Sequence, residues 1–362
     1  MIVGPGKYRF CKPLAFSRRI LHNVAMSNRL ADVAKQAGVS AATVSRVLNG
    51  KAGVSESTRQ AVLVALDVLG YERPTQLRGD RGRLVGLMLP ELQNPIFPAF
   101  ADVVGSALAQ GGYTPVLCTL TATGISEADY IELLLQHQVS GVIFAGGLYT
   151  QADAPHQHYA RLRDLRMPTV FVSAPWTDVG FPCVSCDDAV AAEQAMGHLI
   201  SLGHTRIGLL LGPQDHMPSR RKLAAARAHA QKQGIEFGDR NVAQSLYSLE
   251  AAQTAASRLI AAGMTGIVCA SDPMALGAIR AVRRAGLRVP TDVSVVGFDD
   301  SALMTSVDPP LTTIRQPIEA MGRTAIELLL GQIAGSSVPR EELLFEPELV
   351  VRASTGPVPA PT

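Results

Sequence analysis

Residues able to do chemistry are sparse in this chain, and their spacing excludes more than it offers. Cys183 and Cys186 form a Cys-x-x-Cys, and His156 and His158 a His-x-His. Neither has the second half that a four-ligand structural zinc site needs, so no metal and no cofactor are expected. Asp299 and Asp300 could act as a carboxylate pair, but neighbours at the end of a strand point to opposite sides. That arrangement suits hydrogen bonding to a ligand better than acid-base work. Gly-x-Gly-x-x-Gly, Gly-x-x-x-x-Gly-Lys-Ser/Thr, Gly-x-Ser-x-Gly and His-Glu-x-x-His do not occur, which argues against an enzyme. Charge is more telling. The net +2 divides into 14 Lys/Arg against 5 Asp/Glu in residues 1–83 and 19 against 26 in the rest. A basic head before an acidic body is the footprint of a chain that meets a polyanion at one end.

Those residues must be held by folded elements, and the chain has the material for them. Its 362 residues are 47% apolar and 18% charged, enough for two or three domains with buried cores. The longest apolar runs are strand-length, well short of the ~20 residues that cross a bilayer, so no membrane is expected. Five cysteines make a sparse, odd set, which points to reduced thiols in the cytoplasm. Residues 1–27 carry no apolar period and read as a disordered extension. From Asn28 to Tyr71 the pattern is three short helices. The first carries Leu30, Val33 and Ala34 and stops at Gly38. The second, Ala41 to Leu48, is N-capped by Ser40, with Val44, Val47 and Leu48 inward and Ala41, Ala42, Ser45 and Arg46 outward. The third is capped by Ser55 and has Val62, Leu63, Leu66 and Leu69 as its buried stripe. A glycine-containing turn between the first two matches a helix-turn-helix.

Residues 72–83 are rich in Arg and Gly and read as a hinge. From 84 to 362 strand-like runs alternate with helical stretches, among them a strand Ala243 to Tyr247 and helices beginning at Pro98, Leu223 and Met274. Such alternation means parallel sheets covered on both faces, and about 280 residues exceed one such sheet. The expected fold is therefore α/β, a three-helix head and a two-lobed core, with the chain crossing between lobes near 185, 316 and 345. Any ligand belongs near the carboxyl ends of the strands.

The segment LADVAKQAGVSAATVSRVLNGKAGVSESTRQAVLVALDVLGY resembles, nearly residue by residue, the DNA-binding head of the lactose and galactose repressor family. The body agrees in order: NPIF at Asn94 to Phe97, LGHTRIGLLLGP at Leu202 to Pro213, ASDPMALGAIRAVRRAGLRVPTDVSVVGFDD at Ala270 to Asp300, and PPLTTIRQP at Pro309 to Pro317. The resemblance implies a helix-turn-helix, a hinge and a core similar to periplasmic sugar-binding proteins. It puts the second helix in the major groove, with Ala41 and Ala42 where the family reads base edges. Thr43, Ser45 and Arg46 match contacts to phosphates and bases, and Asn49 a backbone contact. Hydroxyls and a guanidinium at the front of an exposed helix suit phosphate oxygens and guanine, whereas two alanines can only touch thymine methyls or leave room. In the short hinge, Leu77 is the apolar candidate for a minor-groove wedge.

In the core the resemblance implies effector contacts at Phe97, Lys222, Tyr247, Ser271, Asp272, Asp299 and Gln316. Lys222 stands where an arginine is frequent and Ser173 where an aspartate is. Asp272, just before Pro273, would equally serve as a helix N-cap. The resulting expectation is a homodimeric, sequence-specific regulator, a repressor that leaves near-palindromic double-stranded operator DNA when a neutral mono- or oligosaccharide binds. A co-repressor-dependent regulator is the alternative within the class, and a transport-type sugar-binding protein outside it. Arg220 and Arg221 beside Lys222 would favour an anionic ligand instead.

Overall fold

The computed structural model describes residues 30–48, 53–69, 83–120, 124–175 and 180–358. The extension, Asn49, Leu77 and the hinge up to residue 82 lie outside them. The chain divides at Arg83 into two compact units.

The first unit is helical: α1 (residues 30–37), α2 (Ala41–Leu48) and α3 (Glu56–Val68). Gly38 closes α1 with φ +66°, a conformation that costs a residue without Cβ nothing. Ser40 caps α2, its Oγ accepting from the Thr43 N–H at 3.1 Å, and Ser55 caps α3 in the same way through Thr58 at 3.3 Å. Val33, Ala34, Val44, Val47, Val62, Ala65 and Leu66 form the core. Leu69, expected in the buried stripe, falls just past the end of α3 and is 37% exposed.

The second unit holds two six-stranded sheets. The first lobe has β1 (Arg83–Leu89), α4 (Ile96–Gln110), β2 (Tyr113–Thr119), α5 (Glu127–Gln136), β3 (Gly141–Phe144), α6 (Gln157–Asp164), β4 (Thr169–Val172) and β5 (Cys183–Cys186). The second has α7 (Asp188–Ser201), β6 (Ile207–Leu211), α8 (Met217–Lys232), β7 (Val242–Gln244), α9 (Leu249–Ala261), β8 (Gly266–Cys269), α10 (Asp272–Arg284), β9 (Ser294–Asp299) and β10 (Thr312–Arg315). The chain then returns to the first lobe with α11 (Ile318–Ile333) and β11 (Glu342–Phe345), and ends its strands with β12 (Glu348–Val350) in the second. Sheet orders are β11-β5-β4-β3-β1-β2 and β12-β10-β9-β8-β6-β7. All pairings are parallel except β12 on β10. Strands such as β3 (GVIF) and β6 (IGLLL) are buried along their whole length, as parallel strands covered on both faces must be.

Helix α4 starts at Ile96, two residues before the expected Pro98, and three further differences from the sequence reading bear on the site. The strand expected to run to Tyr247 ends at Gln244, which leaves Tyr247 in the loop before α9. Helix α8 starts at Met217 rather than Leu223, because Pro218 is tolerated in a first turn, where its missing N–H costs nothing. Helix α10 is capped by Ser271, not Asp272: the Ser271 Oγ accepts from the Met274 N–H at 3.4 Å. Residues 353–358 are woven into the second lobe. The Ser354 Oγ donates to the Val295 carbonyl and accepts from the Thr312 N–H, while His204 contacts Thr265, Ser294 and the Gly356 carbonyl.

Candidate functional site

In the head unit, the outward face of α2 is defined by what its inward face buries. Val44 and Val47 point into the core, so Ala41, Ala42 and Arg46 are exposed and Thr43 and Ser45 half-exposed. The Thr43 hydroxyl lies 2.9 Å from the capping Ser40 Oγ, which fixes it at the helix front. The surface is a small apolar step of two alanines beside hydroxyls and a guanidinium.

In the core unit, the carboxyl ends of β1, β3, β6, β8 and β9 surround a cavity of about 490 Å³ between the lobes. Phe97, Lys222, Tyr247, Ser271, Asp299 and Gln316 all line it. Asp272 does not. It is fully buried, with one carboxylate oxygen taking the Thr313 hydroxyl at 2.6 Å and the other the Ser301 N–H at 2.7 Å. A Cβ at Gly297 would sit 2.5 Å from that carboxylate, so the glycine of GFDD makes room for it. Asp272 thus ties α10 to β10 and to the loop after β9, and its assignment as an effector contact is corrected. Burial pushes its pKa up to about 6.

Asp299 and Asp300 do diverge at the strand end. Asp300 turns to Arg315 at 2.7 Å and Arg352 at 2.6 Å. Asp299 turns to the cavity, where Gln316 Nε2 donates to Oδ1 at 2.7 Å and Asn94 Nδ2 to Oδ2 at 3.2 Å. Both aspartates hold positive φ, +117° and +56°, a strain that structure elsewhere must sustain and that clusters at functional sites. Burial, then the nearby Asp272 charge, raises the Asp299 pKa well above the ordinary carboxylate range.

Lys222 is buried. Its ammonium pairs with the Asp188 carboxylate and lies 3.9 Å from the centre of the Phe298 ring. Burial opposes the ammonium, but Asp188 beside it prevails and keeps Lys222 protonated. Arg221 makes a two-pronged pair with Glu342 at 2.7 and 2.8 Å, and Arg220 is exposed outside the cavity lining. The three cations therefore do not converge on one anion. The Tyr247 hydroxyl is 3.0 Å from His216 Nδ1 and 3.1 Å from Ser219 Oγ. Its ring occupies space that a Cβ at Gly212 would fill, with carbons 2.3 Å away. Burial, with the Lys222 charge, lowers the His216 pKa to about 4, so the ring is neutral.

Asn94, Asp188, His216 and Phe298 line the cavity and were missed from sequence. Asn94 and Phe298 stood inside the motifs NPIF and GFDD, which were signal enough. Asp188 meets Lys222 only through the packing of α7 on α8, which no spacing announces. One further wall is the loop 146–151. At Gly147, with φ +147°, a Cβ would lie 2.4 Å from Glu127 Oε2, the atom that accepts the Leu148 N–H at 3.0 Å. Beyond it the loop reaches the other lobe, where Gln151 forms a β-bridge with His216 and the Ala152 N–H donates to the Asp215 carbonyl at 3.1 Å. Cys183 and Cys186, three apart on β5, fall on opposite faces, and burial raises both thiols to about 12. His156 and His158 are taken up by the Leu148 carbonyl and Glu127.

Residues 29–74 match the model for bacterial regulatory proteins of the lacI family, and residues 196–355 that for the periplasmic binding protein-like domain. Over 338 residues the chain is 54% identical to the HTH-type transcriptional regulator MalR of Streptomyces coelicolor, spanning 92% of this chain and 98% of that one. The chain belongs to the lacI family. This lacI-family protein is a DNA-binding transcriptional regulator, not an enzyme. It is 32% identical to the repressor CytR of Escherichia coli over 333 residues, 91% of this chain and 96% of that one. Among solved structures it is similar to the transcriptional regulator CelR in complex with cellobiose, at 33% identity and TM-score 0.68 over 90% of this chain and 99% of that one. It is also similar to the lac repressor dimer bound to operator and the anti-inducer ONPF, at 29% identity and TM-score 0.70 over 90% and 98%. No helix among the described residues of this lacI-family chain is long and apolar enough to cross a membrane.

Proposed function

We propose that this regulator is a cytoplasmic homodimeric repressor that holds a near-palindromic operator through α2 of each protomer and releases it when a neutral sugar enters the core cavity. The carrying observation is electrostatic. The cavity's one buried ammonium, among the described residues, is already neutralised by Asp188, while Asp299 and Glu91 add only carboxyls. An anion would find no uncompensated positive charge there. A neutral sugar finds what it needs: Phe97 and Tyr247 for its apolar C–H faces, and Asp299, Gln316 and the Asn94 amide for its hydroxyls. A cavity of about 490 Å³ is ordinary for a small-molecule site. Cellobiose on CelR and operator DNA on the lac repressor dimer support this reading by analogy. Arg46, Thr43 and Ser45 would contact the DNA, and Ala41 and Ala42 would leave room for thymine methyls.

The test combines calorimetry against neutral mono- and oligosaccharides, cellobiose included, and against sugar phosphates, with gel retardation of DNA from around the regulator's own gene. We expect one neutral sugar bound per chain and a retarded complex that dissolves when that sugar is added. Tight binding of a sugar phosphate and no neutral sugar would overturn the effector class. A complex that forms only with the sugar present would make the regulator co-repressor-dependent.

A further inference from the structure

Asn94 sits in the loop between β1 and α4 of the first lobe, and Asp299 ends β9 in the second. Their side chains meet at 3.2 Å, and each residue is 5% exposed. The direction of this bond is fixed from both sides. Asn94 Oδ1 accepts the Ile96 N–H at 3.3 Å at the start of α4, so Nδ2 is the end left to face Asp299. Asp299 Oδ1 takes Gln316 Nε2 at 2.7 Å, so Oδ2 is left for Asn94. The Asn94 amide cannot flip without also losing its bond from the Ile96 N–H. Gln316 itself lies on the stretch between β10 and α11 that returns the chain to the first lobe.

We propose that Asn94 is a positioning residue that acts through Asp299: their bond holds the two lobes closed over the cavity, and an effector hydroxyl reaching Asp299 must share or displace it. Occupancy of the cavity is thereby felt in the first lobe at the front of α4, whichever ligand fills it. The inference does not depend on the ligand being a sugar. A second cross-lobe bond reports on the same closure from another rim. The Ala152 N–H of the first lobe donates to the Asp215 carbonyl of the second. It shares no atom with the Asn94–Asp299 pair and therefore opens with it only if the lobes part.

The pair permits an exchange test on the full-length protein without added ligand. In Asn94→Asp, compared with wild type at an alkaline pH where both carboxyls are ionised, two carboxylates face each other with no donor between them. In Asp299→Asn, an amide either opposes the Asn94 NH₂ or flips and opposes Gln316. The double variant restores every bond with the polarity reversed, since an aspartate at 94 still accepts the Ile96 N–H and an asparagine at 299 still accepts from Gln316. Hydrogen exchange of the Ala152 amide is the readout. Each single variant should exchange about tenfold faster there, the ratio expected for one lost hydrogen bond, and the double variant should return near wild type. A local structural role would leave Ala152 unmoved. Unchanged exchange in folded single variants would overturn the proposal, as would a double variant that folds but exchanges like the singles. Should either single variant fail to fold, the double variant and Asn94→Ala decide: closure requires protection in the first and its loss in the second.

Discussion

Arg220, Arg221 and Lys222 follow one another on α8, where each step turns the side chain by about 100°, and they meet three different surroundings. Arg220 is exposed, Arg221 pairs with Glu342, and Lys222 is buried on Asp188. A sequence reading sees three adjacent cations; helical geometry separates them. For Lys222 the consequence is energetic, because removing one partner of a buried pair strands the other charge. Lys222→Met should destabilise the core by about 3 kcal/mol, and adding Asp188→Leu should recover most of that. Denaturant unfolding of both variants measures it. His216 gives a pH signature. It binds a proton at about 4 in the fold against 6.5 for an ordinary histidine, so between those values the unfolded chain takes up the extra proton. Its contribution is complete above pH 6.5 and is lost as the pH falls toward 4. The stability advantage of wild type over His216→Gln, measured by urea unfolding, should shrink across that window. The buried carboxylates are common to both proteins and cancel to first order.

At the scale of elements, α2 separates the residue that builds the helix from the one proposed to read DNA. Ser40→Ala removes the cap and should cost the head about 1 kcal/mol of stability. Arg46→Ala, on the exposed face, should leave the melting curve in place and weaken operator binding by more than about 1 kcal/mol. Circular dichroism and gel retardation distinguish the two, and unchanged retardation by Arg46→Ala would remove it from the interface. The helices of the head were legible because caps and apolar spacing are local signals. Elements of the core were less so where signals conflict. Pro218 hid the first turn of α8, and short strands such as β5 (CVSC) and β10 (TTIR) lack the long apolar runs that mark β1 or β6. The cavity could be outlined from motifs at strand ends, yet Asp272 shows the limit. It adjoins Ser271 in sequence but lies behind it, because successive residues at a helix start do not face the same way.

For the whole molecule, one small three-helix head offers few base contacts, and two heads related by a twofold axis double them. Sedimentation at micromolar concentration should therefore give a dimer. A stable tetramer would overturn that expectation. The two-lobed core was foreseeable from repeated alternation and chain length, but its antiparallel β12 was not, since three residues carry no directional pattern. The interleaving of the lobes also bears on how the protein is made. The first lobe is completed by α11 and β11, and the second by β12 and residues 353–358, so neither sheet can close until nearly the whole chain has left the ribosome. The head, which precedes the core in the chain, needs none of this. A nascent chain stalled before α11 would carry an assembled DNA-reading surface on an unfinished core, able to touch DNA and unable to respond to any signal. Synthesis in this order makes the head before the part of the molecule that regulates it, so a head can be complete while its control is not.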